Sequence, residues 1–167
     1  MTGELTVRPA GPDELARAGE ISVAAYVTLG WVRPGEGYAV ELADAAGRAR
    51  DGEVLVAVDG DERVLGTVTL CRPDSPLAEV SRPGELEFRM LAVDPAAHGR
   101  GIGEALVQAV LDRARQLAVG RVVLCSHDGM QAAQRLYRKL GFRRLPDRDW
   151  KPSETVVLVA YGLDLGA

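Results

Sequence analysis

Residues 93–103 read Val-Asp-Pro-Ala-Ala-His-Gly-Arg-Gly-Ile-Gly, and the glycines at 99, 101 and 103 lead straight into a helical pattern. Downstream, Leu106, Val107, Val110, Leu111, Ala114, Leu117 and Ala118 recur at three- and four-residue intervals, which predicts an amphipathic helix over Ala105–Val119 with one buried face. Upstream, Glu85–Val93 has the pattern of a strand, so the glycines join a strand to a helix. At such a junction backbone N–H groups converge without side-chain obstruction, and the first-turn donors carry about half a positive charge, which suits a pyrophosphate. A Walker A loop would end in Gly-Lys-Ser/Thr, which is absent. A dinucleotide fingerprint would need Gly or Ala where this chain has Glu104.

The rest of the chain alternates strand and helix signals. Leu5, Val7 and Pro9 read as a short strand. Gly11-Pro12-Asp13-Glu14 starts a helix that runs to about Tyr26, with proline at its first position and acids in its first turn. Thr28–Tyr38 is a loop, and Val40–Arg50 a second helix ending near Gly52. Glu53–Val58 and Val64–Leu70 flank Asp59-Gly60-Asp61-Glu62 as an antiparallel hairpin. Arg72–Gly84, with three prolines, reads as a mobile connection. Val122–Cys125 is an all-apolar strand of the kind found in a parallel pair. Gln131–Leu140 is a helix stopped by Gly141, and Phe142–Leu145 and Val156–Leu163 supply the last strands. The expected architecture is α/β (α+β): one domain over 1–167, with a mixed central sheet of about six to seven strands and four helices.

Composition narrows the function. The 167 residues are 47% hydrophobic and 26% charged, an ordinary globular balance, and the formal net charge of −4 gives no general attraction for nucleic acid. Arg135, Arg138, Lys139, Arg143 and Arg144 form a local exception, read as a solvated helix face and strand start. Cys71 and Cys125 lie far apart without a Cys-x-x-Cys pair, so neither a disulfide framework nor a metal cluster is expected. No run approaches the roughly 18 apolar residues of a membrane span, and Met1–Pro9 lacks a leader pattern, so the cytoplasm is the expected location. The richness in Ala, Arg, Gly, Leu and Val is that of a GC-rich bacterial genome.

The order strand, Val-Asp-Pro, short polar stretch, Gly-Arg-Gly-Ile-Gly, amphipathic helix resembles the cofactor motif of the GNAT N-acetyltransferases. A second segment strengthens the resemblance. Met130-Gln131-Ala132-Ala133-Gln134-Arg135-Leu136-Tyr137-Arg138-Lys139-Leu140-Gly141-Phe142 is similar to the family's later helix, with its Ala, Leu-Tyr and terminal Gly-Phe. Two departures stand out: His98 where the family usually has Gln or Arg, and Met130 where it often has Asn.

The resemblance implies acetyl-CoA as co-substrate, no metal, and two parallel strands splayed at the cofactor site. Leu91, Ala92 and Val93 would pair with the pantetheine arm. His98, Gly99, Arg100, Gly101, Ile102 and Gly103 would hold the pyrophosphate, with Met130, Ala133 and Tyr137 also lining the cofactor. Tyr137 matches the family's general acid, a phenol protonated at neutral pH. Glu87 leads as general base, with Glu85 a close rival. Ser126, His127 and Asp128 form another group at a strand end, while Cys125 reads as a small core residue rather than a nucleophile. Trp31 and Tyr38 are either acceptor-pocket walls or core caps. The implied acceptor is a small-molecule or protein amine, and the implied assembly a monomer or homodimer. A non-catalytic acyl-CoA sensor, a transferase for longer acyl groups, and an acetyltransferase acting on RNA or a ribosomal protein are the alternatives.

Overall fold

The computed structural model describes residues 4–166. The chain forms two compact units that interleave in sequence, Met1–Leu70 with Met90–Val110, and Cys71–Arg89 with Leu111–Ala167.

In the first unit, β1 (Thr6–Pro9) runs antiparallel to β2 (Glu53–Val58), from Thr6↔Val58 to Pro9↔Leu55, and β2 runs antiparallel to β3 (Val64–Cys71). Valines from both strands of this hairpin are buried with Ala18 and Ile21 of α1 (Leu15–Thr28), Ala45 of α3 (Ala45–Asp51) and Ala92 of β4 (Glu85–Val93). Branched side chains fit such a pleated, covered surface. The helix expected over Val40–Arg50 is two helices, α2 (Tyr38–Ala43) and α3, because Asp44 leaves helical geometry at φ −89°, ψ 64°. Its side chain accepts from the Gly47 amide at 2.9 Å and so caps the second helix. Gly19 of α1 lets α2 come close: a Cβ there would sit 2.2 Å from the Ala43 carbonyl oxygen. Arg48, 3% exposed, donates to Thr69 Oγ1 and to the carbonyls of Glu41 and Leu42, tying the end of α2 to β3.

In the second unit, the start of β4 pairs in parallel with β5 (Arg121–His127) through Glu85↔Arg121, Leu86↔Val122 and Glu87↔Val123. Strand β8 (Val156–Asp164) pairs antiparallel with β5 over its whole length, from Arg121↔Asp164 to His127↔Leu158. Short strands β6 (Arg143–Arg144) and β7 (Trp150–Ser153) pair with β8, and α5 (Gln131–Lys139) follows β5. The described residues hold eight strands and five α-helices, more than the six to seven strands and four helices expected. The additional strand β7 is exposed along its length and contains Pro152, so it carries no apolar alternation to betray it.

Two features of β4 matter for the site. Its ladder with β5 ends at Glu87↔Val123 although β5 continues to His127. Three residues later Met90 adopts φ 57°, a left-handed conformation that is costly for a side chain with a Cβ and that breaks the regular pleat. Among the described residues no helix is long and apolar enough to cross a membrane, and no group of three or more His, Cys, Asp or Glu is placed to hold a metal ion.

Candidate functional site

The glycine junction lies in the first unit. Asp94 fastens its start: its amide donates to the Leu65 carbonyl at 2.8 Å, its Oδ1 accepts from the Ala96 amide at 3.0 Å, and its Oδ2 accepts from Arg17 at 2.8 Å. Gly99 and Gly101 take φ 83° and 74°, which only glycine adopts without penalty. A Cβ on either would meet nothing within 4 Å, so backbone conformation and not crowding calls for glycine, and the turn faces open space. Helix α4 (Ile102–Gln116) opens with the Ala105 amide donating to the Gly101 carbonyl. The Ile102 and Gly103 amides precede that bond and have no carbonyl within the helix to bind. Ile102 is 2% exposed and anchors the first turn, while His98, Gly99, Arg100 and Gly101 are exposed.

Leu91 and Val93 are half-buried and Ala92 is buried in the core, as strand alternation requires. Tyr38 contacts the Tyr26 ring with centroids 6.0 Å apart, and Trp31 lies just past the end of α1; both are somewhat over one-third exposed. A cleft of ≈ 860 Å³ also opens here, with Arg8, Arg17, Glu62 and Asp94 in its walls, and Arg100 is the one expected site residue on its border.

Tyr137, Glu87, Met130, Ala133 and Ser126 belong to the second unit. The end of α5 positions Tyr137. Gly141 at φ 100° ends the helix, the Phe142 amide donates to the Tyr137 carbonyl, and the Gly141 amide donates to that of Arg138. This is a Schellman cap, which brings the residue after the glycine against the one five positions earlier. Accordingly the Phe142 and Tyr137 rings lie 6.0 Å apart, with Phe88 of β4 at 5.8 Å and Tyr161 of β8 at 6.1 Å from Tyr137. The Gly-Phe pair seen in the sequence is therefore the device that holds the tyrosine. Burial, with a smaller contribution from Tyr161, pushes the Tyr137 phenol well above its ordinary value, so it keeps its proton.

Met130 stands at the N-cap position of α5 without a side-chain capping bond, so the helix start has no side-chain acceptor there. Gln134 instead donates to the carbonyls of His127 and Asp128. His127 Nδ1 accepts from the Gly129 amide at 3.1 Å and lies 3.3 Å from the Asp128 carboxylate. Ser126 is buried, with only a long 3.4 Å contact to the His127 carbonyl. Arg138 and Arg144 of the basic stretch are engaged with Tyr161, Arg144 also with Asp149.

Glu87 has an unexpected setting. It is 0% exposed, and its Oε1 accepts from the amides of Glu79, Val80 and Ser81 at 3.0, 3.1 and 3.0 Å. Oε2 accepts from Glu79 as well, at 3.1 Å. Alternation puts Glu85, Glu87 and Arg89 on one face of β4 and Phe88 on the other, so Glu87 and the ring of Tyr137 lie on opposite sides of the strand. Arg89 pairs with Glu79 (Nε to Oε1 3.0 Å) and donates to the Leu77 carbonyl. Glu85 receives Arg148 at both oxygens, 2.6 and 2.9 Å, and Arg148 also reaches the Val80 carbonyl. The connection expected to be mobile is therefore pinned along residues 77–82 by the polar face of β4. Sequence reasoning missed Glu79 and Arg89. Their available signal was the run Glu85, Glu87, Arg89, a charged strand face that demands a cover.

Cys71 and Cys125 are free thiols, and burial pushes each up to about 12, against nucleophilic use.

Residues 20–142 match the sequence profile of the acetyltransferase (GNAT) family. Among curated proteins the chain is similar to N-acetyltransferase 8B of Homo sapiens, 34% identical over 93 residues that cover 56% of this chain and 40% of that protein. It is also similar to mycothiol acetyltransferase of Beutenbergia cavernae, 36% identical over 103 residues that cover 57% and 32%. A third relative is N-alpha-acetyltransferase RimI of Mycobacterium tuberculosis, 44% identical over 63 residues, 38% of each chain. The chain spans 40% or less of the length of these relatives. Among solved structures, a GNAT family acetyltransferase from Staphylococcus aureus Mu50 superimposes with TM-score 0.74 at 17% identity, covering 98% of this chain and 100% of that one. A GNAT family acetyltransferase from Brucella melitensis in complex with acetyl-CoA gives TM-score 0.66 at 24% identity, covering 99% and 90%. At these identities the likeness is one of fold.

Proposed function

Since the chain belongs to the GNAT family of acetyltransferases, we propose that it moves the acetyl group of acetyl-CoA directly to a primary amine, on a small molecule rather than a nucleic acid. The observation that carries the reading is the open glycine turn, whose left-handed Gly99 and Gly101 deliver bare backbone amides at the start of α4. These donors fit a diphosphate, and His98 and Arg100 stand exposed beside them. Leu91 to Val93 would take the pantetheine arm as an added strand, a role supported by the end of the β4–β5 ladder at Glu87 and by the break in pleat at Met90. Met130 and Ala133 would line the same cofactor at the start of α5, and two free cysteines fit a reducing, cytoplasmic setting.

Bound acetyl-CoA supplies an activated thioester; the protein's residues must present the amine and manage protons. The amine must first shed its ammonium proton to solvent; then, as the C–N bond forms and the C–S bond breaks, Tyr137, kept protonated by burial, gives its proton to the departing sulfur and regains the one the nitrogen loses. The opposite face of β4, with Glu87, Arg89 and Glu79, receives the amine, and Ser126, Trp31 and Tyr38 are carried as further acceptor contacts.

Calorimetry with CoA tests the first half of the reading, and absence of binding overturns it. Thiol release from acetyl-CoA tests the second, with an amino sugar, a polyamine and a peptide bearing a free α-amine as acceptors. Tyr137→Phe should lower kcat by roughly 10²–10⁴-fold with CoA affinity unchanged; full turnover in that variant removes the acid role.

A further inference from the structure

We propose that Glu87 is a positioning residue for Glu79, and that the Glu79 carboxylate, set beside Arg89, is the group that docks the ammonium of the acceptor. The inference rests on the transferase reading above and goes on to say which carboxylate meets the amine.

The geometry separates the two acids. Glu87 is fully buried, and its carboxylate converges on three consecutive backbone amides, those of Glu79, Val80 and Ser81. A carboxylate gathering several N–H donors is a strong anchor for the segment that supplies them. One of those donors, the Glu79 amide, is held by both oxygens of Glu87. Residue 79 is thereby fixed at its backbone by a bifurcated bond. Its own side chain is released by that arrangement to point elsewhere, and it meets Arg89 at 3.0 Å while staying 20% exposed. Arg89 is held in turn by the Leu77 carbonyl, so the pair stands on two fixed supports.

Location adds a second argument. Glu87 is the last β4 residue paired with β5, through Val123, and Arg89 and Cys125 each stand two residues beyond that pair. The Glu79–Arg89 pair therefore sits at the point where the ladder ends. On this face Glu85 and Arg148 neutralise one another and Arg89 balances Glu79, so the carboxylate of Glu87 leaves the group at −1, the sign that attracts a cation. Trp150 of β7, 36% exposed, lies opposite Leu158 of β8, which pairs on its other side with His127 of β5, and gives this end of the sheet an apolar rim. A carboxylate fixed by its backbone, a net negative charge and an indole edge together fit a primary alkylammonium.

The probe is n-propylammonium chloride, titrated into the full chain with and without CoA while the amide resonances of Glu79, Val80 and Ser81 are followed by NMR. Saturable shifts are expected in the wild type, with tetramethylammonium chloride, which has the charge but no N–H, producing none that saturate. Glu79→Gln should weaken the propylammonium response at least tenfold. Glu87→Gln should speed hydrogen exchange of the 79–81 amides by roughly 10- to 100-fold and weaken the response in parallel, and the double variant should bind no worse than Glu79→Gln alone. If Glu87→Gln does not fold, Glu87→Asp, which withdraws the charge by about 1.5 Å, takes its place in the same measurements. No saturable shift in the wild type, an undiminished shift in Glu79→Gln, or unaltered exchange in the Glu87 variant overturns the proposal. Because CoA binding is measured separately, loss of the transferase reading would show as absent CoA heat with the ammonium response intact.

Discussion

Replacing Gly66 by alanine tests how closely the glycine-loop helix rests on the sheet. A Cβ at this β3 position would lie 2.8 Å from Ile102 Cγ2, 3.0 Å from Leu106 Cδ1 and 3.1 Å from the Ala92 carbonyl oxygen. Ile102 and Leu106 are 2% and 0% exposed, and Ile102 is branched at Cβ, so neither swings aside freely. Forcing a methyl into such packing costs about 1–3 kcal/mol. Alanine also restricts the unfolded chain, which offsets about 0.4–1 kcal/mol. The net expectation is a loss of up to roughly 2.5 kcal/mol, a fall in Tm of up to about 10 °C for a chain of this size. Thermal melts followed by far-ultraviolet circular dichroism measure it. Since the displaced atoms belong to the first turns of α4, CoA affinity measured by calorimetry should fall as well. A variant that melts at or above the wild-type temperature with undiminished CoA binding would show that the contact is slack and the reasoning wrong.

Three further outcomes follow from the same geometry. Gly101→Ala places a Cβ at φ 74°, a cost of about 1–2 kcal/mol, and should weaken CoA binding about fivefold or more by calorimetry. Burial alone would raise the Glu85 carboxyl, but the bidentate Arg148, the Arg82 amide and Arg121 together hold it below its ordinary value. A depressed folded pKa stabilises above the unfolded value of about 4.3 and that stabilisation is lost as pH falls through the folded value, so Glu85→Gln should flatten the acid limb of a Tm-against-pH curve. With both thiols pushed up to about 12, the thiolate fraction at about pH 8 is on the order of 10⁻⁴, so a disulfide reagent should modify Cys71 and Cys125 slowly in the native protein and rapidly once it is unfolded.

The parts of the fold legible in the sequence are those governed by a local rule. The α4 pattern shows in its 3.6-residue period, and the cap of α5 shows in Gly141, because both need particular residues at particular offsets. Asp44 was not legible as a break, since in Ala-Asp-Ala-Ala-Gly it keeps the helical spacing and only its side chain, turned to the Gly47 amide, restarts the helix. The setting of the charged β4 face was not legible for a different reason. Glu85, Glu87 and Arg89 have the pattern of a solvated strand face, and only the tertiary structure shows residues 77–82 folded over them. No residue type announces the left-handed Met90, so the place where β4 leaves its regular path was invisible.

The interleaving of the two units governs how the chain emerges from a ribosome. When Leu70 has been made, the first unit still lacks Met90–Val110, including the Ala92 that packs into its core. At about 5–20 residues per second that wait lasts about 2–8 s, during which the part of the hairpin that Ala92, Ile102 and Leu106 will cover stays open. Likewise Cys71–Arg89 is synthesised before the β5 it pairs with, so neither unit corresponds to a cloneable stretch of gene, and a truncation at Leu70 yields an unfinished half rather than a module.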